Sequence, residues 1–133
     1  MITYRYMTHS DLEQVEAMLF DFCAETEVDN IVYERMVDRV LSGETRVIVA
    51  ENGSICGMVG YIIQGPEQAG EFLYVKPEKR NTIIGGKLYG LAIEDGKEDK
   101  VTRFVIFASR GKAGIYKKLG YKEICTVMER REV

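Results

Sequence analysis

The spacing of apolar residues changes several times along the chain, and each change predicts a different element. Apolar and polar side chains alternate over residues 2–6, which predicts an opening strand. Apolar residues then recur every three or four positions over 11–25, which predicts a helix with one buried face. Ser10 and Glu13 have the spacing of a capping box at its start. Helical spacing over 36–41 predicts a second, shorter helix.

The middle of the chain has the composition and period of strands. Three strands are predicted here, over residues 46–51, 55–63 and 71–75. Asn52-Gly53 joins the first two as a hairpin, and we expect both turn residues to take a positive φ. Gly65-Pro66 breaks the second strand before the third begins.

The last third of the chain returns to alternating helices and strands. We predict a helix over 82–95, a strand over 104–107, a helix over 113–119 closed by Gly120, and a strand over 121–130. Residues 104–107 are all apolar, so we expect that strand to be covered on both faces. The order β-α-α-β-β-β-α-β-α-β predicts one α+β (mixed α/β) domain over residues 1–133, with helices on both faces of a sheet.

Composition narrows the function classes. The 133 residues suit one domain, and the net charge of −3 argues against a protein that coats nucleic acid. No apolar run approaches the length of a membrane span and no signal pattern opens the chain, so we expect a cytoplasmic protein without a membrane partner. The three cysteines are widely spaced and His9 is the single histidine, which argues against a zinc site or a histidine-based triad. We therefore expect no metal, and buried, reduced thiols.

A basic loop before the predicted third helix is the strongest chemical signal. Basic side chains outnumber acidic ones four to one over residues 76–87, in a chain that is acidic overall. A strand that feeds a helix through such a loop presents free backbone amides and positive potential to an anion. Gly85 and Gly86 disfavour the helix, which makes sense if a ligand must come close. From the residues alone, a phosphate site and a solvated loop with a helix-packing glycine pair both remain open.

This loop and a second stretch resemble the GCN5-related N-acetyltransferase (GNAT) family. Residues 73–77, LYVKP, and residues 80–85, RNTIIG, match the family's strand, pyrophosphate loop and motif helix. Residues 109–121, SRGKAGIYKKLGY, match its closing helix, so the resemblance covers the whole chain. It implies a three-layer α/β/α fold with a central, mostly antiparallel mixed sheet, and acetyl-CoA as co-substrate. Ile83 stands where the family usually has glycine, and its β-branched side chain would narrow the space for the pyrophosphate.

The resemblance also implies which residues meet the co-substrate. The thioester and pantetheine would meet backbone amides at Leu73 and Val75, on a strand that splays away from its neighbour. Tyr116 matches the tyrosine that protonates the leaving thiolate, although a tyrosine here also suits ordinary amphipathic packing. The implied cofactor-binding residues are Leu73, Tyr74, Val75, Arg80, Asn81, Thr82, Ile83, Ile84, Gly85, Gly86, Lys87 and Ser109.

Glu71 is the candidate base, because two residues before Leu73 its side chain would share that strand face. A solvated glutamate at a strand edge, and a water chain acting as the base, are the alternatives. Acidic side chains outnumber basic ones seven to two over residues 21–44, which line the acceptor side in the family. That excess favours a cationic primary amine, on a small molecule or a protein, and a solvated helical face explains it equally well.

Three functions are consistent with these residues. The first is an acetyl-CoA-dependent N-acetyltransferase, and the second is a GNAT-fold module that binds CoA or a protein partner without catalysis. The third is a small α+β interaction protein whose motif matches arise by chance, which leaves Gly85 and Gly86 unexplained. Homodimers are common in the family, and the sequence shows no apolar patch that decides the oligomeric state.

Overall fold

The structure is a computed structural model that describes residues 1–108, 112–125 and 128–132. Its strands are β1 (Thr3–Tyr6), β2 (Arg46–Asn52), β3 (Ser54–Gln64), β4 (Glu67–Val75) and β5 (Arg103–Val105). Its helices are α1 (Leu12–Glu25), α2 (Asn30–Ser42), α3 (Ile84–Glu98) and α4 (Ala113–Lys118). None of the helices in the described part of the chain combines the length and the apolar character that crossing a bilayer requires.

The five strands form one mixed sheet in the order β1-β2-β3-β4-β5. The first three pairings are antiparallel, and β4 pairs with β5 in parallel. A parallel neighbour requires a crossover connection, and α3 supplies it between β4 and β5. The predicted mixed, mostly antiparallel sheet is therefore confirmed.

Helices cover both faces of this sheet. Leu19 of α1 and Met36 of α2 pack with Met58 on one face. Leu88 of α3 packs with Tyr61 on the other face. The predicted three-layer α/β/α architecture is confirmed, and it brings the start of α3 next to the end of β4.

Several elements begin earlier than their apolar spacing indicated. α2 includes an extra turn because the Asp29 carboxylate accepts a hydrogen bond from the Val32 amide at 3.0 Å and caps the helix. β4 begins at residue 67 rather than 71, since the preceding turn takes only two residues. In the β2–β3 hairpin only Gly53 has a positive φ, whereas Asn52 is still paired in the ladder. The expectation of two such turn residues was wrong.

The capping box lies at Thr8 and Asp11, not at the predicted Ser10 and Glu13, and it caps a short 3-10 helix (His9–Asp11) that leads into α1. The Asp11 carboxylate accepts hydrogen bonds from the Thr8 amide at 2.7 Å and from the Arg5 guanidinium at 2.6 and 2.9 Å. The capping residue is thus fixed by an arginine in β1, which lies outside the local pattern that predicts a capping box.

Asp11→Asn is expected to lower the free energy of unfolding by about 2 kcal/mol at pH 7, since hydrogen bonds to a charged partner are worth about that much. The Arg5 guanidinium holds the pKa of Asp11 well below its usual range. The stability that ionised Asp11 contributes is therefore fully present above the unfolded-state pKa of about 4. It is lost as the pH falls from there through the lower pKa of the folded state. Urea unfolding of both proteins at neutral and strongly acidic pH tests this. The difference should narrow in acid, and a constant difference would contradict the ion pair.

The last strand of the sheet is short and poorly covered. Residues 104–106 are half-buried, and Phe107 is 72% exposed. The expectation of a strand covered on both faces was wrong, because β5 lies at the edge of the described sheet and borders an open cleft.

The C-terminal residues depart furthest from the predicted pattern. Residues 121–125 and 128–130, the described part of the predicted final strand, form no strand. Cys23 and Cys56 are buried as expected, whereas Cys125 is exposed. The expectation of three buried thiols was therefore wrong at Cys125.

Candidate active site

A cleft opens where β5 separates from β4. β5 pairs only with residues 67–69 of β4, and no strand in the described chain pairs with residues 70–75 on that side. The Lys76 amide donates to β3 at 2.9 Å, and amides alternate between the two edges of a strand. The amides of Leu73 and Val75 therefore point away from β3 and into the cleft. This is the splayed strand expected at these two residues.

A β-bulge at Glu71 sets the direction of the side chains in β4. Glu71 is the extra residue in the β3–β4 ladder, between Gly70 and Phe72. Glu71 and Phe72 both point to the face of α1 and α2, whereas Leu73 points to the α3 face. The expectation that Glu71 shares a face with Leu73 was wrong, because the bulge shifts the alternation by one residue. The Phe72 ring covers Gly60, where an added Cβ would lie 2.2 Å from it.

The cleft encloses a cavity of about 330 Å³. Aromatic side chains supply much of its wall, namely Phe22, Tyr61, Phe72, Tyr89, Phe104, Phe107, Tyr116 and Tyr121. Among the described residues, its charged lining side chains are Glu71 and Lys112. A mostly apolar cavity with a few polar groups is the usual form of a small-molecule site.

An ion pair holds Glu71 in the cavity wall. The Arg39 guanidinium of α2 donates from Nε to Glu71 Oε1 at 2.6 Å and from Nη2 to Oε2 at 3.3 Å. The Thr45 hydroxyl donates to Oε1 at 3.3 Å. These contacts fix the carboxylate in position, and the guanidinium balances its charge.

Tyr89, Tyr116 and Tyr121 form a tyrosine cluster in the same lining. The Tyr89 hydroxyl donates to the Tyr121 hydroxyl at 2.7 Å, and the Tyr116 and Tyr121 rings meet edge to face at 5.7 Å. Burial raises the pKa of Tyr116, so its phenol keeps its proton at neutral pH. Gly120 ends α4 with a φ of 97°, which turns Tyr121 back onto the helix and confirms the predicted stop.

The first turn of α3 presents free backbone amides. The Lys87 amide makes the first complete intrahelical bond, to the Ile83 carbonyl at 2.9 Å. The amides of Gly85 and Gly86 precede that turn, so helix geometry gives them no intrahelical acceptor. They lie directly after a loop with three basic side chains. Backbone and charge together favour an anion here.

Open space surrounds the two glycines. A Cβ added at Gly85 would reach only Val75, at 3.8 Å, and one at Gly86 would meet nothing within 4 Å. Helix packing therefore does not explain the pair, whereas a ligand lying against the helix would. The Ile83 side chain is 81% exposed, so in this conformation it does not fill the space that the glycines leave. Asn81 takes a left-handed φ of 62° in the loop, which asparagine tolerates.

The family model described as the acetyltransferase (GNAT) domain matches residues 8–133. The chain belongs to the GNAT family. Comparison with curated protein sequences gives no significant match.

Solved structures share the fold of this GNAT domain. A GCN5-related N-acetyltransferase from Ralstonia eutropha has a TM-score of 0.80 and 20% identity, covering 98% of this chain and 99% of its own. A predicted acetyltransferase with acetyl-CoA from Clostridium acetobutylicum has a TM-score of 0.77 and 15% identity, covering 98% and 96%. Glucosamine-6-phosphate N-acetyltransferase from Arabidopsis thaliana has a TM-score of 0.73 and 14% identity, covering 98% of both chains. At these identities the likeness is one of fold.

The structure of this GNAT domain divides the sequence-predicted site residues into groups. Glu71, Leu73 and Tyr116 line the cavity. The candidates from Arg80 to Lys87 form a second group at the start of α3, namely Arg80, Asn81, Thr82, Ile83, Ile84, Gly85, Gly86 and Lys87. The Tyr74 side chain is buried on the α1 face and lies outside the cavity lining. Ser109 lies outside the described residues.

Sequence reasoning missed the part of the cavity that α1 contributes. Phe22 and Thr26 line it, and the helical spacing marks Phe22 only as a core residue. Tyr89 was also missed, since nothing in the local pattern of α3 separates it from a packing residue. A search for tyrosines that topology brings near α4 would have found it.

Contacts within the protein hold Arg80 in place. Its Nε donates to the Val75 carbonyl at 2.8 Å, and its Nη2 donates to the Glu25 carboxylate at 2.8 and 2.9 Å. The guanidinium also lies 5.2 Å from the centre of the Tyr74 ring. The Glu25 pair is exposed, and such pairs are worth at most about 1 kcal/mol. A charge-assisted contact to phosphate is worth about 1.5–3 kcal/mol, so an anion would displace Glu25.

Glu25→Gln is expected to tighten acetyl-CoA binding by up to about fivefold, the equivalent of one exposed ion pair. Arg80→Ala is expected to weaken binding by about tenfold or more, since it removes the guanidinium that we expect to contact the phosphate. Glu27→Gln is the matched control, because it removes the same charge two residues away. Calorimetric titration of the three variants measures the effect. Equal affinities of Glu25→Gln and Glu27→Gln would show that Glu25 does not compete for Arg80.

Proposed function

We propose that this GNAT domain transfers an acetyl group from acetyl-CoA to a primary amine. The observation that carries the proposal is the placement of three features along the free edge of β4. These are the amides of Leu73 and Val75, which no described strand pairs, the open glycine turn of α3, and the half-buried phenol of Tyr116. Family membership supports the proposal, as does the fold shared with a structure that contains acetyl-CoA.

The cleft fits the two ends of the donor. The amides of Gly85 and Gly86, with Arg80, would receive the pyrophosphate. The amides of Leu73 and Val75 would receive the pantetheine and the thioester carbonyl. From Val75 to the bulge at Glu71 the strand runs about 13 Å, a length that suits an extended pantetheine arm. The acetyl group would then lie in the cavity near Glu71.

The reaction exchanges one bond for another. The amine nitrogen attacks the thioester carbon, a C–N bond forms, and the C–S electron pair leaves on sulfur. The Tyr116 phenol gives its proton to this thiolate and is restored from solvent. Preorganised amides of β4 stabilise the negative charge that develops on the carbonyl oxygen.

We propose Glu71 as the group that receives the amine proton. Its carboxylate lines the cavity and is fixed by Arg39, so one ammonium group can bind there and lose a proton. The Arg39 guanidinium and the Thr45 hydroxyl already bind the Glu71 oxygens, so fewer lone pairs are left for the amine. We therefore expect it to contribute less to the rate than Tyr116 does.

Gly86→Ala is expected to raise stability and weaken acetyl-CoA binding at once. Alanine stabilises a helix by about 1 kcal/mol over glycine, and nothing in the protein blocks the added methyl group. The same methyl group would occupy the space that the proposal assigns to the pyrophosphate. Gly90→Ala is the matched control, because its Cβ is equally unobstructed one turn further along α3.

Thermal unfolding and calorimetric titration measure both effects. Both variants should gain stability, and only Gly86→Ala should lose affinity, by about tenfold, as expected when a charge-assisted contact is disturbed. Equal affinities of the two variants would argue against a ligand at this turn.

Thiol release from acetyl-CoA in the presence of a panel of primary amines tests the activity itself. Mass spectrometry of the amines should show a gain of one acetyl group that requires the protein. Binding of acetyl-CoA without amine-dependent thiol release would instead favour the non-catalytic module.

A further inference from the structure

We infer that the acceptor is a monoamine carried on an apolar skeleton and not a polycation. The inference rests on the proposed function, because it concerns the acceptor end of the same cavity. It is carried by the charges and side chains that line that end.

The acceptor end lies towards α1. The groups proposed for the donor lie at the end of β4 and the start of α3, and the donor thioester would stop near the bulge. Beyond it, the cavity is lined by Phe22 of α1, by Thr26 directly after that helix, and by Phe72. The Phe22 and Phe72 rings lie 6.3 Å apart and form an apolar corner. An apolar skeleton gains from burial against these rings.

The acidic residues of the segment 21–44 do not contribute to this wall. Glu25 is held by Arg80 and Asp29 caps α2. The acidic side chains of residues 21–44 all lie in the described part of the chain. None of them lines the cavity. Their excess therefore does not mark a site for a cation inside the cleft.

Glu71 supplies a place for one ammonium group. Its charge is balanced by Arg39, so the described lining carries no uncompensated carboxylate. A second ammonium group on the acceptor would leave water and meet aromatic walls without an ionic partner, which is unfavourable. A diamine should therefore bind less well than a monoamine of the same length.

A monoamine and a diamine of the same length, with an aromatic monoamine as a third compound, test the inference. Equilibrium binding of 1-aminohexane, 1,6-diaminohexane and 2-phenylethylamine is measured by calorimetry on the full chain, with and without CoA. We expect both monoamines to bind at least tenfold more tightly than the diamine. Equal or tighter binding of the diamine, which cation–π contacts in the aromatic wall would produce, overturns the inference, as does the absence of binding by any of the three.

Thr26→Asp tests the preference for monoamines by adding a carboxylate that could bind a second ammonium group. Thr26 is exposed beyond the end of α1, and its hydroxyl donates to the Phe22 carbonyl at 2.8 Å, a hydroxyl that the control variant removes as well. Thr26→Asn is its isosteric control without the charge. Thr26→Asp should shift the ratio of diamine to monoamine binding by about tenfold relative to Thr26→Asn, and an unchanged ratio overturns the inference. These readouts need no turnover, so loss of acetyl-CoA binding or thiol release would count against the proposed function alone.

Discussion

Tyr116→Phe is expected to lower kcat about 100-fold, at the lower end of what general acid catalysis contributes, because a thiolate is a comparatively good leaving group. The ring remains in the tyrosine cluster, so acetyl-CoA binding should stay within about twofold of the unchanged protein. Thiol release under saturating acetyl-CoA and amine measures kcat, and calorimetry measures binding. The two readouts separate a lost proton donor from a lost wall of the cavity.

Tyr89→Phe and Tyr121→Phe are the controls for that experiment. Each removes a hydroxyl from the same cluster and with it the 2.7 Å hydrogen bond between Tyr89 and Tyr121. We expect smaller losses from both than from Tyr116→Phe. Full kcat in Tyr116→Phe together with a large loss in Tyr121→Phe would transfer the role of proton donor to Tyr121.

Asp95→Ala is expected to be the most destabilising single change outside the apolar core. Asp95 of α3 accepts hydrogen bonds from the Tyr6 and Tyr61 hydroxyls, both at 2.7 Å, and from the Arg46 guanidinium at 3.0 Å. Burial works to raise its pKa, but these three donors outweigh it and hold the pKa of Asp95 below its ordinary value. The Tyr61 side chain is 1% exposed, so water cannot replace the lost partner.

Breaking such a buried network typically costs about 3–5 kcal/mol, and we expect Asp95→Ala to lower the free energy of unfolding by about that amount. Asp99→Ala is the matched control. It removes a second aspartate from Arg46, at 2.7 Å, but that pair is exposed and should cost less than about 1 kcal/mol. Urea denaturation of both variants at neutral pH decides the matter. A loss in Asp95→Ala no larger than that in Asp99→Ala would show that the network does not stabilise the fold.

The order of elements from β1 to α4 could be predicted from the sequence because it depends on local spacing. Helical and strand periods, the stop at Gly120 and the turn at Gly65-Pro66 each lie within a few residues of the element that they define. The two stretches that resemble the GNAT family are local as well. Through that resemblance they indicate both the splayed β4 and the glycine turn of α3.

The parts of the site that could not be predicted depend on long-range pairing. The bulge that turns Glu71 towards α2 arises from the register between β3 and β4. The pairing of Arg80 with Glu25 joins residues that are 55 positions apart. Phe22 lies in the cavity only because α1 crosses the end of the cleft. No local sequence pattern indicates such long-range contacts.

Calorimetric titration of the unchanged protein with acetyl-CoA, and then with S-acetylpantetheine, tests the central claim most directly. The second compound keeps the thioester and lacks the whole 3′-phosphoadenosine diphosphate, so the difference measures what the phosphates and the nucleoside contribute together. We predict micromolar binding of acetyl-CoA, and binding of S-acetylpantetheine that is weaker by about 100-fold, the equivalent of one to two charge-assisted contacts. No binding of acetyl-CoA up to millimolar concentration, or equal binding of the two compounds, would contradict the account.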